Sequence, residues 1–146
     1  MAAEFGARGG VARSSGLCVR VYTARYSNPA VEQSGLVPVR ITVGHPRFRL
    51  RYELGGFIRE LAPFGLRSVS DPDEFDQRYI AQLDALGADA IRKLLQAVSD
   101  VNGGRDLVLL CFEDLRDPSK HCHRTTFAEW WHQRTGEQVV ELEEAS

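Results

Sequence analysis

The chain lacks any long apolar run. No stretch of about 18 consecutive apolar residues, the minimum for a membrane helix, occurs in its 146 residues. The N-terminal segment MAAEFGARGGVARSSG also lacks the apolar centre of a secretory signal. We therefore expect no membrane association and a cytoplasmic location.

Cysteine is scarce, and neither sign of charge dominates. The three cysteines, Cys18, Cys111 and Cys122, are an odd number, and a reducing compartment would keep them as thiols. The 18 basic and 20 acidic side chains nearly balance, with a net charge of −2. This balance disfavours a protein that coats nucleic acid, although it permits a local basic patch.

What remains is the composition of an ordinary globular protein, 43% hydrophobic and 26% charged. Residues 1–16 are rich in glycine, alanine, arginine and serine, and we expect a disordered tail there. A single domain should span residues 17–142, followed by a short, solvated acidic tail at 143–146. A chain of this size needs no disulfide or metal to fold, because it buries roughly 68–70% of its unfolded surface.

The hydrophobic pattern predicts strands alternating with helices. Strands are expected at 17–22, 37–43, 106–112 and 138–142, and helices before Leu61, on either side of Gly87, and at 125–134. The two helices around Gly87 should begin at the N-cap Asp71 and end at 102–104. The unbroken apolar run at 106–112 is typical of a strand covered on both faces. The fold class is therefore α/β, a three-layer domain with an open, mostly parallel sheet and helices on both faces.

Ligands of open α/β sheets bind beyond the carboxyl ends of the strands, so the residues that follow each strand are the candidates. We expect three groups to converge there. These are Thr23, Tyr26, Ser27 and Asn28 after the first strand, Gly44, His45, Pro46 and Arg47 after the second, and Cys111, Glu113, Cys122, His123 and Arg124 after the third.

The leading hypothesis is a site for a phosphate-bearing or other anionic small molecule, such as a nucleotide. Arg124 and Arg47 would hold the anion, helped by backbone N–H groups at the start of the last helix. Glu113 would orient Arg124 or act as a base, and Cys122 and His123 are the reactive candidates. Whether this site catalyses a reaction stays open, as does the cofactor. The alternative for the same residues is structural: Arg124 pairs with Glu113 or Asp114, and the cysteines pack in the core.

Two other hypotheses remain open. Arg40, Arg47, Arg49 and Arg51 would form a basic stripe for nucleic acid if the second strand continued, with Tyr22, Tyr26 or Phe48 as stacking groups. A thiol or zinc site is the third hypothesis, because Cys111, His121, Cys122 and His123 are soft ligands. Neighbouring residues do not readily bind one ion, however, so we assign no metal.

The chain resembles the domain-of-unknown-function 488 family over residues 17–142. The segments that carry the resemblance are VYTARYSN at 21–28, VRITVGHPRF at 39–48, LAPF at 61–64, LVLLCFED at 107–114, CHRTTFAEWW at 122–131 and VVEL at 139–142. The resemblance implies an α/β fold with a pocket formed by these blocks, and no established activity. The positions that it marks are Tyr22, Ser27, Asn28, Arg40, Gly44, Pro46, Arg47, Cys111, Glu113, Cys122, His123 and Arg124. Phe48 departs from the tryptophan common in relatives, while keeping an aromatic ring.

Overall fold

A computed structural model describes residues 19–144 of the chain. The predicted tail at 1–16, the first two residues of the predicted first strand, and the last two residues of the acidic tail lie outside the described residues. Among the helices of residues 19–144, none combines the length and apolar character that crossing a membrane requires.

In the described part of the chain, five parallel strands form a single sheet. In chain order they are β1 (Val21–Arg25), β2 (Val37–Arg40), β3 (Gly56–Phe57), β4 (Leu107–Cys111) and β5 (Val140–Glu141). Their order across the sheet is β3-β2-β4-β1-β5, and every neighbouring pair is parallel. The central strand β4 is buried at all its positions, which explains its unbroken apolar run. The predicted α/β fold with a parallel sheet is therefore confirmed.

Within residues 19–144, four α-helices accompany the sheet: α1 (Ala30–Gln33), α2 (Pro72–Leu86), α3 (Ala88–Asp100) and α4 (His123–Thr135). The Asp71 carboxylate accepts a hydrogen bond from the backbone N–H of Glu74 at 3.1 Å, so the predicted N-cap of α2 is confirmed. The predicted break between α2 and α3 is also confirmed. Gly87 makes it with a φ of 84°, a conformation that glycine adopts without strain.

The two faces of the sheet are covered differently. Helices α2, α3 and α4 bury one face, where Leu83, Leu95 and Trp131 belong to one apolar cluster with the strands. On the opposite face, Val31 of α1 packs beside Leu50 and Tyr52, which belong to the irregular segment 41–55. The second helical layer that the sequence predicts is thus one helical turn, supplemented by coil.

Several predicted element boundaries are wrong. The helix expected before Leu61 is instead β3 followed by a 3₁₀ turn at Arg59–Leu61. The second strand ends at Arg40 rather than at 43, because the Arg40 guanidinium binds the carbonyl groups of Thr42 and Val43. The first strand continues to Arg25, and α4 begins two residues earlier than predicted.

The acidic tail is not solvated throughout. The Glu144 carboxylate binds the guanidinium of Arg25 through two hydrogen bonds of 2.8 Å. Its side chain is only 8% exposed, so this part of the tail packs against the end of β1.

Candidate functional site

The neighbouring strands β2 and β4 send the chain to opposite faces of the sheet. After β2 the chain enters the segment 41–55, which packs beside α1, whereas β4 leads to α4 on the other face. Such a divergence opens a crevice at the carboxyl ends of the two strands, where α/β proteins bind ligands. The topology therefore places the candidate site between the ends of β2 and β4.

A cavity of about 630 Å³ occupies this position, within the size range of small-molecule sites. Residues from the ends of both strands, the segment that precedes α2, the start of α2 and the start of α4 form its wall. They are Thr42, Val43, Gly44, Pro63, Leu66, Arg67, Val69, Ser70, Pro72, Phe75, Cys111, Phe112, Glu113, His121, Cys122 and His123. Of the predicted site residues, the structure thus brings together Gly44, Cys111, Glu113, Cys122 and His123.

A disulfide joins Cys111 at the end of β4 to Cys122, the residue that precedes α4. The Cα atoms of the pair lie 7.1 Å apart, and the two residues are 3% and 4% exposed. The expectation of free thiols is therefore wrong for these two cysteines. The loop 112–121 returns the chain to the end of β4, and this return brings Cys122 beside Cys111. Cys18 lies outside the described residues.

His123 sits against the disulfide as a buried, neutral imidazole. Its Nε2 lies 2.6 Å from the carbonyl oxygen of Ile41. Because a carbonyl oxygen only accepts, Nε2 carries the proton and donates this hydrogen bond. Nδ1 then faces the sulfurs of Cys111 and Cys122 at 3.6 Å and 3.9 Å. The pKa of His123 is lowered to about 4, mainly by burial. The hydrogen bond to the Ile41 carbonyl opposes this shift, and the nearby Arg124 and His121 contribute to it.

Cys122 and His123 are adjacent in the sequence, yet their side chains approach each other, with 3.9 Å between Cys122 Sγ and His123 Nδ1. Cys122 has an extended backbone, with φ −143° and ψ 141°, and His123 is the first residue of α4. The change of backbone conformation at this boundary aims both side chains at the same point. The sulfur atoms of Cys111 and Cys122 and a nitrogen of His123 all lie within 4.8 Å of one another.

His121 belongs to a different arrangement on the same wall. Its Nε2 lies 2.8 Å from a carboxylate oxygen of Asp76 in α2, which also accepts a hydrogen bond from the Thr126 hydroxyl. His121 is 38% exposed, so Asp76 fixes an imidazole at the cavity mouth. Sequence reasoning missed Asp76 because it lies 45 positions from His121, within a regular helix.

Arg124 lies away from the cavity. Its side chain is fully buried, and its Nε and Nη2 donate to the Glu141 carboxylate in β5 at 2.9 Å and 2.8 Å. The expectation that Glu113 or Asp114 would be its partner is wrong. Glu141 takes that role because β5 runs beside β1, and Thr23 of β1 also donates to it at 2.7 Å. Among the described residues, the Arg124 Nη1 is a buried donor without a hydrogen-bond partner.

The remaining predicted residues also lie outside the cavity wall. Asn28 is a loop residue, since its amide donates to the Leu142 carbonyl and accepts from the Ala30 N–H. Tyr22 packs in the apolar cluster beside α1, and Ser27 is exposed. Only the ends of β2 and β4 therefore converge at the cavity, and not all three predicted strand ends. The group after β1 contacts this region through Tyr26, whose hydroxyl forms a hydrogen bond with the Thr42 hydroxyl at 2.7 Å.

The basic stripe does not form as a strand face. Arg40 closes β2 and stacks on Phe57, with its guanidinium carbon 4.0 Å from the ring centre. Arg47, Arg49 and Arg51 are exposed on the irregular segment, because the chain has already left the sheet. In this part of the described chain, Arg47, Arg49 and Arg51 therefore do not share one face of a strand, as the predicted alternation required.

Comparison with known proteins adds no relative: no protein family, curated protein or solved structure matches this chain.

Proposed function

We propose that this protein carries out thiol–disulfide exchange with a small thiol bound in the cavity. The observation that carries the proposal is the Cys111–Cys122 pair, which comes from two different elements and lies on the cavity wall. Exchange needs a sulfur that an incoming thiolate can reach and a partner cysteine that can leave and return. The cavity supplies the access, and the loop 112–121 supplies a tether between the two sulfurs.

The environment of Cys122 suits a leaving thiolate. It is the N-cap residue of α4, a helix of 13 residues, and the N-terminal end of a helix carries partial positive charge. This partial charge favours a thiolate at the N-cap, and a more stable thiolate leaves a disulfide faster. Because His123 keeps Nδ1 unprotonated beside both sulfurs, it can accept a hydrogen bond from whichever sulfur bears a proton.

The reaction proceeds in two balanced steps. A small thiolate attacks Cys111 Sγ, a mixed disulfide forms, and the bond between the two cysteines breaks to release the Cys122 thiolate. A second small thiolate then attacks the sulfur of the bound small molecule and releases the Cys111 thiolate. Two small thiols are oxidised to one small disulfide, and the protein pair takes up their two electrons and two protons. The reverse sequence reduces a small disulfide.

We further propose that the small molecule carries a negative charge. Arg67 lines the cavity, and the N-terminal end of α4, which carries partial positive charge, contributes Cys122 and His123 to the same wall. Glu113 is the opposing charge on the wall and would select against a second anionic group nearby. We thus retain the ligand class that the sequence predicts, an anionic small molecule. The residue proposed to bind its negative charge is now Arg67 and not Arg124.

We also propose that the chain belongs to the domain-of-unknown-function 488 family that it resembles. In support, the two blocks that carry most of the resemblance, CFED and CHR, supply Cys111, Glu113, Cys122 and His123 to one cavity wall. The two blocks are separated only by residues 115–121, and both contribute to the same wall.

The test is a redox titration of the full-length chain with Cys18→Ser as the background, so that only Cys111 and Cys122 can respond. The protein is equilibrated in buffers of a low-molecular-weight thiol and its disulfide, and free thiols are alkylated and counted by mass spectrometry. We expect a reversible transition of two thiols per chain, with a midpoint between about −300 and −180 mV. A mixed disulfide should accumulate on Cys111 in the Cys122→Ser variant.

Two results would overturn the proposal. One is a pair that stays oxidised in the folded protein under strong reductant. The other is a pair that, once reduced, does not close again in the disulfide buffer. Loss of the transition in Cys111→Ser, with the fold retained, is the matched control.

A further inference from the structure

Three metal-ligating atoms meet at the cavity wall: Cys111 Sγ, Cys122 Sγ and His123 Nδ1. We propose that, when the disulfide is reduced, these atoms bind one Zn²⁺ ion and leave its fourth coordination position open to the cavity. This inference shares only the reduced cysteine pair with the exchange reaction and does not require that reaction.

The spacing of the three atoms fits a tetrahedral ion. With Zn–S bonds of about 2.3 Å and a Zn–N bond of about 2.0–2.1 Å, sulfur and nitrogen ligands lie about 3.6 Å apart. The observed distances from His123 Nδ1 are 3.6 Å to Cys111 Sγ and 3.9 Å to Cys122 Sγ. The nitrogen is therefore already placed where a zinc ligand would sit.

The sulfur atoms of the two cysteines can reach the separation that a zinc ion requires. Sulfurs on one tetrahedral Zn²⁺ lie about 3.8 Å apart, so reduction must let them move away from each other. The Cα atoms of Cys111 and Cys122 lie 7.1 Å apart, somewhat beyond the 4.4–6.8 Å that is usual across a disulfide (about 5.5–6 Å most often). Side-chain rotation alone can then open the space between the sulfurs.

His123 is held as a metal-binding histidine is held. Such a residue donates its second ring N–H to a carbonyl or carboxylate, which fixes the tautomer and the ring orientation. Here Nε2 donates to the Ile41 carbonyl at 2.6 Å. The ring of Tyr79 also meets the imidazole edge-on, with 5.4 Å between ring centres. The free Nδ1 lone pair is consequently aimed at the sulfurs before any ion arrives.

The charges also balance. Two thiolates and one Zn²⁺ ion form a neutral group, so binding in a buried position does not leave an unpaired charge there. The three residues are 3%, 4% and 6% exposed, which keeps competing water away from the ligand side. Zinc sites with three protein ligands, including two cysteines with one histidine, leave a position for water or substrate and are the catalytic type. The cavity lies on that open side.

The test uses the full-length chain with Cys18→Ser, reduced and freed of metal by a chelator that is then removed. Zn²⁺ is titrated with elemental analysis, and Co²⁺ serves as a spectroscopic probe of the same position. We expect one ion per chain, with intense thiolate-to-cobalt absorption and the visible bands of a tetrahedral ion. Adding imidazole should shift those bands, because it can occupy the open position.

The variant Cys122→Ser should weaken Zn²⁺ binding at least 100-fold, which checks the ligand assignment. Its fold is verified by circular dichroism. His121→Ala is the matched control, since His121 lies on the same wall but is bound to Asp76, and it should bind Zn²⁺ as the parent does.

Binding without thiolate-to-cobalt absorption, or an unchanged affinity in Cys122→Ser, would overturn the zinc proposal. So would the absence of Zn²⁺ binding by the reduced parent protein. The redox titration separates the two proposals because it is run with a chelator present. If the protein does not bind Zn²⁺, the titration can still show the exchange reaction. If the exchange reaction is not observed, Zn²⁺ binding to the reduced protein can still be measured.

Discussion

At the scale of single residues, the two partners of the Arg124–Glu141 ion pair are buried to different extents. The Arg124 side chain is fully buried, whereas that of Glu141 is 37% exposed. Water can therefore rehydrate the carboxylate if the arginine is removed, but cannot reach the guanidinium if the glutamate is removed. Arg124 also has one nitrogen, Nη1, that is already without a partner. Breaking a buried pair costs most on the side where a charge stays buried and unpaired.

We therefore expect Glu141→Ala to destabilise the protein more than Arg124→Met does. The loss for Glu141→Ala should be on the order of 3 kcal/mol, toward the low end for a broken buried pair because the glutamate is partly exposed. Urea unfolding followed by fluorescence measures both variants. Arg78→Ala is the control, because the Arg78–Glu74 pair is exposed on both sides and such pairs contribute about 0–1 kcal/mol. A larger loss for Arg124→Met would contradict this account.

The site could be predicted from the sequence only in part, and the reason is visible residue by residue. Three site residues lie at element boundaries: Cys111 ends the buried strand β4, and Cys122 and His123 stand at the start of α4. Their presence at one edge of the sheet could therefore be inferred. Their bonding could not, because it depends on how the loop 112–121 returns. The partner of Arg124 could not be predicted either, since Glu141 becomes its neighbour only through the pairing of β1 with β5.

At the scale of elements, β3 depends on a close approach that only glycine allows. A Cβ atom added at Gly55 would collide with the buried Val37 of β2 and would crowd the side chain of Asn102. The Gly55 backbone is meanwhile held by its N–H to the Pro38 carbonyl at 2.7 Å and by its carbonyl to the Asn102 amide at 3.0 Å. Neither neighbour can yield without disturbing β2 or the end of α3.

We expect Gly55→Ala to cost about 1–3 kcal/mol of stability, the usual range for overpacking in a tight core. Gly44→Ala is the matched control: it has open space around the added Cβ and no positive φ, and it should change stability by less than about 0.5 kcal/mol. Thermal and urea unfolding of the two variants decide the matter. A Gly55→Ala protein as stable as the parent would show that β3 is not packed as described.

The long elements were predictable and the short ones were not. Helix α2 has an N-cap at Asp71, Gly87 separates it from α3, and both helices have regular apolar spacing. Strand β4 has five consecutive buried residues. By contrast, β3 has two residues and α1 has four, too few to show any period. The start of α4 was misplaced because Cys122 makes no side-chain cap hydrogen bond, so no capping residue marks the boundary.

At the scale of the whole molecule, the domain should remain folded when Cys111–Cys122 is reduced. The two apolar clusters that bind the helices and the irregular segment to the sheet do not depend on the bridge. The bridge closes a loop across a sequence separation of 11. A loop of about 15 residues contributes roughly 3 kcal/mol through the entropy of the unfolded chain, so the loss on reduction should not exceed that figure.

Urea unfolding with and without reductant, in a chelating buffer, tests this expectation on the Cys18→Ser protein. Both forms should unfold in one cooperative transition, and the midpoint should fall on reduction. The double variant Cys111→Ala/Cys122→Ala should not respond to reductant, since it has no bridge to lose. A reduced protein without a cooperative transition would show that the disulfide is a structural staple. Such a protein could not cycle between two folded redox states, and the exchange reaction would then have no physical basis.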